Sequence, residues 1–69
     1  MNIIGRNAQM LWTLLQNKEN AEVGKLMKES KLSDIEFWAA IGWLSCEGKL
    51  DCSTETRDGR TTIVFSLLA

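Results

Sequence analysis

The chain predicts an α+β fold of three helices followed by a C-terminal β-hairpin, and three observations carry that expectation. Apolar residues recur at helical spacing through the first half. A segment from Ser33 to Gly48 carries both a helix start signal and a helix stop signal. Beyond Gly48 the pattern changes to alternation around an Asp-Gly pair. At 69 residues one domain spanning 1–69 is expected, and a chain of about 60 residues buries only about 60% of its unfolded surface. The stability margin is therefore small, which makes a disulfide, a metal or a partner subunit worth weighing.

Ile4, Ala8, Leu11, Trp12 and Leu15 form one helical stripe and predict a first helix over about 6–17. Ile3, Met10 and Leu14 form a second stripe that widens the apolar face beyond the needs of one small core. Either the domain wraps this helix or part of it meets another chain. The polar break Asn17-Lys18-Glu19-Asn20 leads to a short extended piece near Ala21 to Val23, a candidate third strand between the first two helices. Val23, Leu26 and Met27 mark a second helix at about 22–30, with Lys25, Lys28 and Lys31 on its outer side. Gly24 weakens this helix by about 1 kcal/mol relative to alanine, so it depends on packing. Lys31-Leu32-Ser33 is a tight turn, with Leu32 as an apolar plug between helices.

The third helix is expected at about 34–46. Ser33 and Glu36 form a capping box, and Gly48 suits the left-handed turn that ends a helix. Phe37, Ala40, Ile41 and Leu44 are its core stripe, leaving Trp38, Ala39, Gly42, Trp43 and Ser45 on or beside the outward face. Gly42 suggests the close approach of a backbone or ring, or is simply a tolerated small residue. The hairpin is expected at about 49–67. Leu50, Cys52 and Thr54 share one strand face, Asp58-Gly59 supplies the turn, and Thr61 to Leu67 return. A lone hairpin is marginal in water, so it must lie against the helices. Helix, helix, helix, strand, strand is the order of a winged helix-turn-helix.

Composition narrows the function. With net charge −1 and a pI near 5.3, the totals lack the positive field of a domain that binds phosphates by charge alone. There is no His, no nucleophile beside a general base and no phosphate-cradling glycine motif, so no catalytic site is expected. Cys46 and Cys52 have no histidine to complete a zinc set; two reduced thiols are expected, with Cys52 buried. No metal, cofactor or small-molecule ligand is inferred. The first residues lack the basic leader and apolar core of a secretory signal, and no apolar run reaches the roughly 20 residues needed to span a bilayer, so a cytoplasmic, non-membrane protein is the expectation.

Ile4-Gly5-Arg6-Asn7-Ala8 followed by Leu11-Trp12, and Ala39-Ala40-Ile41-Gly42-Trp43-Leu44 leading to Glu47-Gly48-Lys49, resemble a family of small stand-alone bacterial winged helix-turn-helix proteins of uncharacterised function. The resemblance covers essentially the whole chain and implies the fold. It transfers no functional residue. By wider analogy winged helices are mostly DNA-binding transcriptional modules, with a substantial minority used for protein contacts.

The third helix sits where a winged helix keeps its DNA-reading helix, yet it contains no Lys, Arg, Asn or Gln, the side chains that read guanine and adenine. Two readings therefore stand. In one, the domain regulates transcription by contacting the phosphates of duplex DNA through Lys25, Lys28, Lys31, Arg57 and Arg60. In the other, it is a protein-interaction or self-association module using Ile3, Met10, Leu14, Trp38 and Trp43, since Trp is enriched at binding hot spots. A homodimer is compatible with both.

Overall fold

The computed structural model of the chain describes residues 2–18 and 20–68. Met1, Glu19 and Ala69 lie outside the described residues, and with them the Glu19 of the polar break and both ends of the 1–69 span. The order is α1 (Ile3–Leu15), β1 (Ala21–Glu22), α2 (Val23–Ser30), α3 (Asp34–Cys46), β2 (Leu50–Arg57) and β3 (Arg60–Leu67).

Local chemistry sets the ends of the helices. The first begins three residues before the expected start at 6, because the Asn2 side chain accepts the Ile4 N–H at 2.8 Å and caps it. It also stops earlier, at Leu15. Glu22 caps α2 by accepting the Gly24 N–H at 2.9 Å. The helix ends at Lys31, which adopts a left-handed φ of 60°. Buried Ser30 satisfies the turn that follows, its hydroxyl donating to the Met27 carbonyl at 2.8 Å and accepting the Leu32 N–H at 3.2 Å. In α3 the capping box is complete: the Glu36 N–H donates to Ser33 Oγ at 3.3 Å and the Ser33 N–H to Glu36 Oε1 at 3.1 Å. At its other end, Gly48 (φ 71°) lets its own N–H reach the Ser45 carbonyl and the Lys49 N–H reach the Leu44 carbonyl, a Schellman stop.

The sheet is antiparallel with strand order β1-β3-β2, so β3 is central. The expected short strand exists at Ala21–Glu22 and pairs with Phe65 and Val64. β2 and β3 pair without a bulge from Leu50↔Leu67 to Arg57↔Arg60. Asp58 and Gly59 both have positive φ, 52° and 78°, which makes the connection a type I′ turn. Phe37, Phe65, Leu11, Leu15, Leu26 and Leu44 are the largest fully buried side chains. They place the core where α3 crosses α1 and both meet the Phe65 face of β3. The wing runs past this core, which helps stretch the molecule to 42 × 27 × 20 Å. No helix among the described residues is long and apolar enough to cross a membrane.

Two burial expectations are corrected. Cys52 is exposed, as is Thr54, because on edge strand β2 only Leu50 lies deep enough to be covered by the core. Leu14 is not surplus: it is partly buried and packs against the core from α1.

Two substitutions test these packing and backbone assignments by chemical denaturation. Phe37→Ala should lower stability by about 3–5 kcal/mol, comparable to the whole margin of a domain this small, and so abolish cooperative unfolding. Lys31→Gly should raise stability by about 1 kcal/mol, since glycine adopts the left-handed cap without a Cβ clash.

Candidate interaction surface

The outward face of α3 is apolar and open. Ile35, Trp38, Ala39 and Gly42 follow each other at i, i+3, i+4 and i+7 and so line one side of the helix. Ile35 is 83% exposed and Trp38 43% exposed. Trp43 is 38% exposed and, five positions after Trp38, lies about 140° around the axis. The two indoles accordingly lean apart. Trp38 meets the edge of Phe37, with ring centroids 5.2 Å apart at 88°, and approaches Phe65 of β3 at 6.3 Å. Trp43 lies over Gly5 of α1, where a Cβ would come within 3.3 Å of its ring. The close approach expected at Gly42 is at Gly5 instead: nothing lies within 4 Å of where a Gly42 Cβ would be.

Between α1 and α3, Trp12 and Trp43 wall a groove of about 560 Å³ floored by Gly5 and Ala8, with Asn2, Glu47 and Lys49 at its rim. Lys49 and Glu47 stand 3.8 Å apart across that rim.

The five interface candidates do not converge on one patch. Ile3 and Met10, both exposed, share a side of α1 that does not line this groove, and Leu14 belongs to the core. Ile35, absent from the sequence expectation, is the most exposed large apolar residue described. Its signal was available. It lies three residues before Trp38 and outside the Phe37–Ala40–Ile41–Leu44 stripe.

The cationic candidates divide likewise. Lys25 of α2 and Arg57 of the wing line one cleft, together with Lys18 and the carboxylates of Glu22, Glu29 and Glu55. Arg57 Nε is 2.6 Å from Glu55 Oε1, and Lys18 Nζ is 3.2 Å from Glu29 Oε1. Positive charge in that cleft is therefore matched by negative. Arg57 and Arg60 also share a second cleft at the wing tip with Glu22 and Asp58. Lys28, Lys31 and Arg60 make no ion pair among the described residues. On α3 the only ionised side chains are Asp34 and Glu36, both in the first turn, where they complement the helix dipole.

Chemically, this arrangement offers an aromatic and aliphatic helix face with an acidic end, beside a wing of nearly balanced charge. Such a face buries against apolar surface. It offers none of the Arg, Lys, Asn or Gln side chains that read guanine or adenine bidentately.

The family model described as winged helix-turn-helix domain (DUF2582) matches residues 1–65, and the chain belongs to that family. No curated protein matches the chain.

The Gly5–Trp43 contact can be tested directly. Gly5→Val should displace the Trp43 indole, shift its N–H resonance selectively among the tryptophans, and cost about 1–3 kcal/mol as overpacking.

Proposed function

We propose that this winged helix is a non-catalytic, cytoplasmic interaction module that docks another protein on the outward face of α3 instead of reading bases with it. The observation that carries this reading is the exposure of Ile35 and Trp38 on a helix that lacks Lys, Arg, Asn and Gln throughout Asp34–Cys46. The acidic first turn complements a partner whose apolar contact surface is flanked by cations. Neighbouring exposed apolar side chains of this kind suit a binding surface, and Trp is enriched at interface hot spots.

A second reading has its own support. Winged helices are commonly DNA-binding, and Lys28, Lys31 and Arg60 make no ion pair among the described residues. A duplex bound through them would be held by its phosphates, with transcription regulation as the outcome. Arg57 contributes less, because Glu55 already holds it.

One set of measurements separates the two. For docking, Ile35→Lys should leave unfolding within about 0.5 kcal/mol of the parent yet abolish retention of a protein partner by immobilised domain, while duplex titrations at low salt stay flat. For phosphate contact, duplex affinity should fall steeply with salt, and replacing Lys28, Lys31 and Arg60 by alanine should reduce the logarithmic salt slope by about 3. Steep salt dependence with full indifference to Ile35→Lys would sink the docking reading.

A further inference from the structure

We propose that the groove between α1 and α3 binds a free aromatic α-amino acid, its ring held between Trp12 and Trp43 and its charged headgroup against Glu47 and Lys49.

The floor of the groove permits close approach. Gly5, Ala8 and Trp12 follow each other at i, i+3 and i+7, so they share one side of α1. A glycine inside a helix weakens it relative to alanine. At Gly5 the missing Cβ lets the Trp43 ring lie directly on the helix, where a Cβ would stand 3.3 Å from it. The fully buried Ala8 and Leu44 close the bottom.

The two indoles stand apart by a distance that suits one ring. Two turns of helix, about 10.5 Å, separate the level of Gly5, where Trp43 lies, from that of Trp12. Side chains on a helix lean toward its N-terminus, so Trp12 tilts back toward Trp43. That leaves room for one flat ring in contact with both indoles at about 3.5–4 Å. Neither indole stacks on another ring: the aromatic contacts among the described residues join Phe37, Trp38 and Phe65. An added ring, offset or edge-on, gives each an aromatic partner in its preferred geometry.

Charge at the rim then selects the headgroup. Glu47 Oε1 and Lys49 Nζ are 3.8 Å apart, and both side chains are about half exposed. A pair this long and this exposed contributes little, so it opens at small cost. An α-amino acid carries an ammonium and a carboxylate on one carbon and can meet both partners at once. The Lys49 ammonium faces the ligand carboxylate and the Glu47 carboxylate faces the ligand ammonium, closing a ring of four alternating charges. A ligand with one charge matches one rim residue and meets its own sign at the other. No further charged side chain among the described residues lines the groove. Its volume of about 560 Å³ falls within the usual range for a small-molecule site.

This site is independent of the docking reading. Trp43 lies about 140° around α3 from Trp38, so the groove and the Ile35 side can be occupied separately.

The test is a titration of the isotope-labelled full chain with L-phenylalanine at low salt, read on the indole N–H resonances. Those of Trp12 and Trp43 should shift together and saturate, with a midpoint at about 1 mM, the ordinary strength of so small a ligand in an open groove. That of Trp38 should stay in place. Hydrocinnamate, phenethylamine and L-leucine lack the ammonium, the carboxylate and the ring in turn, and each should bind at least about fivefold more weakly. Two exposed substitutions keep the fold and reassign the charges. Glu47→Gln should weaken L-phenylalanine about fivefold while leaving hydrocinnamate at least as tight, and Lys49→Gln should weaken L-phenylalanine alike while leaving phenethylamine at least as tight. Shifts confined to Trp38, no shift at ten times the expected midpoint, or equal affinity of the parent chain for hydrocinnamate and L-phenylalanine overturns the proposal.

Discussion

The contact between Phe37 and Phe65, ring centroids 6.1 Å apart at 58°, is the joint on which the rest of the molecule turns. Both rings are fully buried, one from the first turns of α3 and the other from the middle of the central strand. Joining them presses the Phe37–Ala40–Ile41–Leu44 stripe against α1 and the sheet. Once that stripe faces inward, the 3.6-residue period turns Ile35 and Gly42 outward. The apolar outer face is thus a geometric consequence of the core, and its exposure reflects how little of a small chain can be covered.

The same joint decides the character of the wing. Phe65 has Ala21 on one side and Cys52 on the other in the sheet register, so the two-residue β1 occupies one edge and β2 is left open along the other. Because the core ends near Leu50 and Phe65, the hairpin beyond it is held by its own ladder and turn. Such a segment needs charged, β-branched side chains to stay in solution, and it has them: Asp51, Thr54, Glu55, Thr56 and Arg57. Together with Asp58 and Arg60 their mixed signs keep the wing near neutrality, which disfavours long-range attraction of a polyanion.

Local capping bonds contribute a different kind of constraint. Asn2, Glu22, Ser33 and Ser30 each satisfy backbone groups at a helix end or turn, so helices of eight to thirteen residues persist although isolated helices shorter than about 12–15 residues are marginal. These bonds set where the chain reverses. The left-handed residues Lys31 and Gly48 complete the reversals at the ends of α2 and α3, and the spacing between them fixes the length of the helix that carries the candidate surface.

Read alone, the residues determined the elements and their order: α3 with both of its ends, the Asp-Gly turn, the short third strand, and the inward stripe of α3. Each depends on neighbours a few positions away, and periodicity and capping report such interactions faithfully. The start of α1 at Ile3, capped by Asn2, is local in the same way, since Asn is a favoured N-cap residue directly before the apolar stripe. Long-range packing decided the remainder. Burial of Cys52 could not follow from alternation, because alternation names the shared face and not the length of strand that helices cover. Leu14 joined the core, Trp43 settled on Gly5, and Lys25 came beside Arg57 through contacts between segments far apart in the chain. The candidate site was therefore legible as a composition, a helix without base-reading side chains, whereas its shape and the pairing of its charges came into being only when α1, α3 and the sheet closed on one another.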